Sequence, residues 1–376
     1  VAGQYLGQKN KEQACKSTTQ LMWSMGFISL VITAFVYTCK YWILHGVFGQ
    51  IEADVMHHAD VYLLIVTASI PFIALYNGGA AVFRAMGNSE VSMKVSLLMN
   101  AINVSGNAIL IYGFHCGTEG VAIPTLVSRF VAAFIIIKLL LKDKWSLHLE
   151  RTFRFNPDWS MIRKILSVGI PNGLENSMFQ LGKVLVLSLV STFGTYAIAA
   201  NAVSNVITLF SILPGQAICL AVTTVIARCV GAGDYEQAKY YNKKLILLTH
   251  IGMAITIFIV FITLPFILKV YNLSEAASEA TRHIIWFHGF CAILIWAESF
   301  TLPATFRACG DAKACMIIST VSMWSFRVGA SYILGKNLGL GVFGVWVAMI
   351  IDWAFRSLLF GIRYFSGKWK KHALVS

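Results

Sequence analysis

The sequence predicts an all-α, polytopic helical membrane protein with two pseudo-symmetric lobes, four helices in the first and six in the second. Three observations carry that prediction. Apolar runs of about 20 residues, enough to cross a bilayer, recur from end to end. Hydrophobic residues make up 57% of the chain and charged ones 12%, with mean hydropathy +0.70, whereas a soluble domain is about 25% charged. Finally, stretches of the first part return in the second at a nearly constant offset, the mark of a duplicated unit. Helices are the expected element because they satisfy their own backbone groups in hydrocarbon. The alternating segments of about 10 residues that a membrane barrel needs do not occur.

The spans are taken in order. The first, about 20–46, follows a polar, basic stretch, VAGQYLGQKNKEQACK, which has no signal-peptide pattern. The next three are 61–83, 93–113 and 120–141, and a basic, less apolar segment, about 142–163, follows them. The fifth, 165–192, holds Pro171, Glu175 and Lys183. The sixth, 197–226, opens with AANAVSN, and the seventh, 246–268, follows the loop GAGDYEQAK. The eighth, 284–306, carries Glu298; the ninth, 315–335, carries Arg327; the tenth, 342–362, carries Asp352 and Arg356. This divides the chain into an N-terminal lobe at 1–145, a basic cytoplasmic linker at 146–164 and a C-terminal lobe at 165–376.

The formal charge of +13 is distributed by loop. One side carries Lys9, Lys11, Lys16, Arg84, Lys94, the run from Lys138 to Lys164 that includes Arg151 and Arg154, then Arg228, Lys239, Arg307, Arg363 and Lys368 to Lys371. The other side has only Lys40, Lys269, Arg282 and Lys336 among acids. Cytoplasmic loops hold the excess of Lys and Arg, so the rich side, C-terminus included, is expected to be cytoplasmic in a multi-pass cell-membrane protein. The positive charge therefore sets topology and marks no nucleic-acid site. The eight cysteines show no CxxC pair and no metal-ligand spacing with histidine, so neither a metal nor a disulfide is expected. GAGDYEQAK lacks the GK[ST] ending of a phosphate loop and reads as a connector. No nucleotide-binding cassette or other cofactor motif is present, so the energy for any transport comes from an ion gradient or another subunit.

The repeat has three landmarks. LGQKNKEQA at Leu6–Ala14 matches VGAGDYEQA at Val230–Ala238, and Gly231 lies 224 residues after Gly7. AAVFRAMGNSEVSM matches PATFRACGDAKACM, with Gly310 lying 223 after Gly87; EGVAIP falls 224 before FGVWVA. Both halves begin and end on one side, so their pseudo-two-fold axis lies along the membrane normal. Subtracting 224 from the fifth and sixth spans gives almost only negative positions, so the first half lacks an opening pair.

The chemistry concentrates in GIPNGLENSMFQLGKVLVL, Gly169–Leu187. Asn172, Glu175, Asn176, Phe179, Gln180 and Lys183 share one helical face, and Leu174, Met178, Leu181 and Leu185 lie mainly on the other. That polar stripe suits a bundle interior or a wet cavity. Glu175 and Lys183 are about 12 Å apart along the axis and do not form a direct pair. A mid-span carboxylate costs about 2.5–3.5 kcal/mol on insertion scales and is functional by default, as a cation or proton site; the alternative is a structural carboxyl bonded to a neighbouring helix. Pro171 loosens the ladder just before it. Glu298 is open to two readings, a coupling acid or a partner of Lys183. Asp352 and Arg356, four residues apart, read as a structural pair. Asn201 and Asn205, also i, i+4, can join Glu175 around a cation or hydrogen-bond between helices. Arg129 faces substrate or braces a carbonyl. His283 and His288 read as interface residues near the outer end of a span.

The paired glycine loops, FRAMGNSE/FRACGDAK, IPNGLENSMFQLGK, AANAVSN and GVWVAMIIDWAFRSLLFGIRY together resemble the multidrug and toxic compound extrusion transporters along essentially the whole chain. The resemblance implies twelve helices in two six-helix lobes that rock around a central cavity, so this chain is expected to lack the first two and, beginning without a Met, to be part of a longer protein. It implies exchange of Na⁺ or H⁺ for organic cations and other amphipathic compounds, with a coupling glutamate in the helix that holds Glu175. An acid sometimes present in the eighth span would fall near Trp296, which Glu298 can replace. The acid that many members carry in their first helix has no counterpart here. The expected function is thus an ion-coupled antiporter, not an enzyme, moving small organic cations through a lipid bilayer without a cofactor. Two alternatives stand beside it. One is a flippase for lipid-linked precursors, which would want a cationic cavity; the other is a transport-inactive scaffold, against which a costly intramembrane acid argues.

Overall fold

The computed structural model describes residues 1–47, 52–150 and 157–375. Arg151 and Arg154 of the expected basic run lie outside the described residues. Every described element is helical, and the chain divides into two compact units, Val1–Arg163 and Lys164–Ser376.

The first unit holds α1 (Ala2–Gly7), α2 (Lys11–Trp42), α3 (Ala53–Ala68), α4 (Ile70–Ala85), α5 (Ser89–Ala108) and α6 (Glu119–Leu140). Asn10 starts α2 by accepting the Gln13 amide at 3.1 Å, which satisfies one of the orphan donors of the first turn. α3 and α4 meet at a 41° bend. Pro71, in the first turn of α4, has no N–H to continue the α3 ladder. Ser69 sits at the bend and donates to the Val66 carbonyl at 2.6 Å. α4 packs on α2 and α6, and α5 runs along α6. The sequence expected 146–164 to be a linker, but its start belongs to the fold. Trp145 packs edge-on to Phe83 at 5.4 Å, and Leu147 is fully buried with its amide 3.2 Å from the Met86 sulfur.

The second unit holds α7 (Trp159–Ser191, whose first residues precede the unit boundary), α8 (Thr195–Gly231), α9 (Tyr235–Tyr271), α10 (Glu275–Trp296), α11 (Leu302–Cys309), α12 (Ala312–Ser322) and α13 (Gly341–Phe365). α8 runs along α9, and α10 packs on α8, α9 and α13. One core cluster gathers Trp296, Trp346 and Trp353 with Met253 and Ile257; another gathers Phe306, Phe360 and Trp369 with Ile226. Three π-helical stretches interrupt the α geometry: Ala297–Thr301, Met323–Gly329 and Tyr332–Asn337. Their wider turns had no sequence signal, and such turns collect at functional sites.

Seven described helices are long and apolar enough to cross a membrane, or eight if the bent pair α3–α4 is one span. The other two expected spans fall on α7 and on Ala312–Asn337. α7 is helical for 33 residues, about 50 Å at 1.5 Å per residue, but its polar stripe dilutes its hydropathy. Ala312–Asn337 is split by the two later π stretches.

The duplication is deeper in structure than in sequence. Asn10 and Asp234, 224 apart, both cap long helices, Asp234 by accepting the Gln237 amide at 2.9 Å. Gly87 and Gly310 close their turns at φ 83° and 97°, where a side chain is strained. Trp145 and Trp369, again 224 apart, each pack on aromatic neighbours shortly after α6 and α13 respectively. One cap has diverged. Asn88 accepts the Val91 amide at 3.4 Å, whereas Asp311 instead receives Arg363 through two hydrogen bonds, 2.6 and 2.9 Å, and holds the C-terminal turn against α12.

Candidate functional site

α7 delivers the polar stripe. Glu175 lies one turn past Pro171 and is half-buried. Its Oε1 accepts from Arg307 Nη2 at 2.8 Å, with side chains only 11% and 27% exposed. Its Oε2 is buried with no hydrogen-bond partner, and so is Arg307 Nε. The pair is therefore single-toothed and leaves a carboxylate oxygen open. The charge pattern counts Arg307 among the cytoplasmic-side cations; α11 turns it inward onto Glu175.

Glu298 stands on the π stretch Ala297–Thr301. The alternative that it pairs with Lys183 is overturned: Glu298 Oε1 is 2.9 Å from His250 Nε2 on α9. His250 Nδ1 lies 2.7 Å from the Ile293 carbonyl. A carbonyl only accepts, so Nδ1 carries the hydrogen of that bond. One further proton must then lie between Nε2 and the carboxyl group, on either side. Glu298 Oε2, like that of Glu175, is buried and unpartnered. His250 was missed because a lone histidine 48 residues from its acid forms no motif.

A cavity of about 230 Å³ opens within the second unit, lined by Lys183, Asn201, Asn205, Arg327, Trp346 and Met349 among others. Close packing sets its geometry. A Cβ on Gly182 would sit 2.4 Å from the Met323 methyl, so α7 approaches the π stretch Met323–Gly329 closely enough to bring Lys183 beside Arg327. Asn201 accepts from Trp346 Nε1 at 3.1 Å, and Asn205 donates to the Asn201 carbonyl at 2.7 Å. The expectation that these amides gather around Glu175 is corrected: they face this cavity, and Glu175 is not on its wall. Asn172, Asn176 and Gln180 do not line it either, and Asn176 donates back to the Asn172 carbonyl at 2.8 Å.

Phe179 lies behind the wall, with three cations around its ring. Lys183 Nζ is 4.9 Å from the centroid, Arg327 5.3 Å and Arg356 5.6 Å. Among the described residues only Arg356 of the three has a carboxylate within salt-bridge distance, Asp352 at 3.2 Å, and both are almost fully buried. Ser322 donates to Asp352 at 2.5 Å, and Arg356 donates to the Ser319 carbonyl at 3.2 Å. His288 is buried between Trp346 and Trp353, edge-on at 5.4 and 5.2 Å, rather than at an interface. Of the two roles expected for Arg129, the contact present is a brace, to a hydroxyl and not to a carbonyl: its Nη1 donates to Ser69 Oγ at 2.6 Å at the bend in the first unit. No group of three or more possible metal ligands occurs among the described residues.

A family model for MatE matches residues 1–109 and 171–333, both halves of the repeat. The "Probable multidrug resistance protein NorM" of Thermotoga maritima is 25% identical over 370 residues, covering 96% of this chain and 78% of the relative. The "Uncharacterized transporter YisQ" of Bacillus subtilis is 27% identical over 378 residues, covering 98% and 81%. Among solved structures, one described as an outward-facing multidrug resistance MATE family transporter of the MOP superfamily superposes with TM-score 0.88 at 19% identity, over 98% of this chain and 82% of that one. Another, from Pyrococcus furiosus, is described by the reverse polarity of its binding pocket, which suggests a different function for it; it gives TM-score 0.89 at 19% identity over the same shares. Shared fold and a family match across both halves lead to one conclusion: this chain belongs to the MatE family of membrane transporters.

Proposed function

We propose that the chain is the core of a proton-coupled antiporter that moves amphipathic small molecules across a cell membrane by alternating access. Its lobes are 1–145 and 165–376, joined by the basic segment 146–164 on the cytoplasmic side with the C-terminus. The observation that carries the coupling ion is the His250–Glu298 contact, which needs one exchangeable proton between its partners. Sodium would have the two open oxygens, Glu298 Oε2 and Glu175 Oε2, on carboxyl groups whose Oε1 atoms already engage His250 and Arg307. Glu298 with His250 is the proton site, and Glu175 with Arg307 is the second coupling element. Asn201, Asn205 and Lys183 face the substrate. A proton drives the cycle only by binding one state more tightly than the other. The NorM relatives, described as probable multidrug resistance proteins, support amphipathic substrates.

The organic cations expected from the family would meet no carboxylate on the wall of the 230 Å³ cavity, where Lys183 and Arg327 both stand. That favours the second reading, translocation of a lipid-linked molecule with an anionic head. The test is uptake into proteoliposomes under an imposed pH gradient, then under an imposed Na⁺ gradient. Proton coupling predicts that only the pH gradient drives uptake, and that Glu298→Gln abolishes this drive while leaving the protein folded. Equal drive from Na⁺ with Glu298→Gln unaffected refutes it.

A further inference from the structure

We infer that the cavity lined by α7, α8, the π stretch Met323–Gly329 and α13 is a site for an amphipathic anion, a phosphate or carboxylate head on an apolar body. The inference deepens the transporter reading but rests on it only for movement, not for binding. Four observations carry it.

The first is charge. Lys183 and Arg327 both line the cavity, and neither has a carboxylate within salt-bridge distance among the described residues. Asp352, the carboxylate paired with Arg356, is fully buried and engaged by Arg356 and Ser322. Three cations around Phe179 therefore face one carboxylate. The ring's negative face offsets part of their repulsion, since each lies within about 6 Å of its centroid. The surplus positive charge still favours an anion over a cation in this low-dielectric wall.

The second is donor geometry. Arg327 presents a planar fork suited to two oxygens at once, and Lys183 a point charge suited to a third. The amides of Asn201 and Asn205 are partly committed to Trp346 and to the helix backbone, so they shape the wall rather than supply charge.

The third is size and polarity. About 230 Å³ is below the usual range of drug pockets, about 300–1,000 Å³, and fits a head group with its first carbons. Val186, Leu187, Val345 and Met349 supply the apolar side for the body that follows.

The fourth is construction. Arg327 is carried on a π stretch, and Gly182 lets α7 approach that stretch at a distance a side chain would forbid. Two local departures from ordinary helix packing bring the two cations into one space.

The experiment uses the full chain in phosphatidylcholine nanodiscs. Equilibrium binding of naphthyl phosphate is compared with that of naphthylmethylammonium, which shares the ring and inverts the charge. The expected result is a preference for the phosphate of at least about tenfold. Lys183→Gln and Arg327→Gln should each weaken it by about 10- to 100-fold, the range for a charged hydrogen bond, and Lys183→Arg should restore it to within about threefold. Lys183 is an exposed position, so Lys183→Gln keeps the test valid if Arg327→Gln fails to fold. Equal affinities, a preference for the ammonium, or indifference of phosphate binding to both glutamine variants overturns the inference. Adding phosphatidylglycerol separates two sources of the same chemistry. Competition abolished by Lys183→Gln identifies a lipid head as occupant, and no competition identifies a soluble anion; both uphold the site. Charge-dependent binding without gradient-driven uptake would sink the antiport reading alone, while proton-driven uptake of the ammonium with no phosphate binding would sink this inference alone.

Discussion

Replacing Asp352 by Asn removes one charge and almost nothing else. The side chain keeps its shape, and its oxygen can still accept from Ser322. What disappears is the counter-ion of Arg356, 3.2 Å away, with both side chains at 4% exposure or less. At an effective dielectric of about 20, a pair at that distance attracts by about 5 kcal/mol. Breaking a buried pair by removing one partner costs about 3–5 kcal/mol, because the other charge stays behind. Here it stays beside a second uncompensated cation, Arg327, so the upper half of that range is expected. For a unit of this size 1 kcal/mol moves the melting point by about 2–4 °C, so Asp352→Asn should lower it by about 8–20 °C. The assay is thermal unfolding of detergent-solubilised protein followed by monodisperse fraction. The double replacement Asp352→Leu with Arg356→Leu should recover most of the loss, since a buried pair exchanged for apolar packing is often neutral. A shift below about 3 °C for Asp352→Asn, or a double variant no better than the single one, refutes the electrostatic argument.

Three further outcomes follow from the packing. Gly182→Leu should cost about 1–3 kcal/mol by overpacking against Met323, with part regained in Gly182→Leu/Met323→Ala, measured by the same thermal assay. Arg363→Met leaves Asp311, 3% exposed, without its fork; limited trypsin digestion should then cut at Lys370 and Lys371 several-fold faster than in the parent. Lys9 holds φ 61° where its repeat partner Gly233 holds 74°, so Lys9→Gly should stabilise the first unit by a few tenths to about 1 kcal/mol, strain relief outweighing the entropy of glycine.

The parts legible in the sequence are those set by hydrocarbon length and by duplication. Apolar runs announce helices because nothing else satisfies a backbone in lipid, and the glycine loops announce the repeat because their turns need fixed residues. Glu175, Glu298 and the Asp352–Arg356 spacing were visible as costly charges. Their partners were not. Arg307 looked like a loop cation because the positive-inside pattern has no term for a side chain that folds back. His250 and Glu298 meet across two helices whose rotation no periodicity fixes to one residue. The π stretch under Arg327 widens a turn by one residue, which sequence cannot register, and so the joining of Lys183 with Arg327 was hidden. Arg129 is open between substrate and bracing in the sequence because the bend at Ser69 that it braces appears only in three dimensions.

The repeat also contains a comparison that evolution has already run. At the offset of 224, Asp352 and Arg356 fall on Ser128 and Ala132. Both are buried in α6, at 2% and 1% exposure, and no ion pair joins these two positions. One helix design is thus present in two versions inside one chain, with Ser128 and Ala132 at these two positions in one copy and the Asp352–Arg356 pair in the other. The charged version cannot be explained as a requirement of the architecture, because its sibling does without it. Grafting Ser and Ala into the second copy, or Asp and Arg into the first, would ask how much of the transporter's chemistry is portable between its own halves.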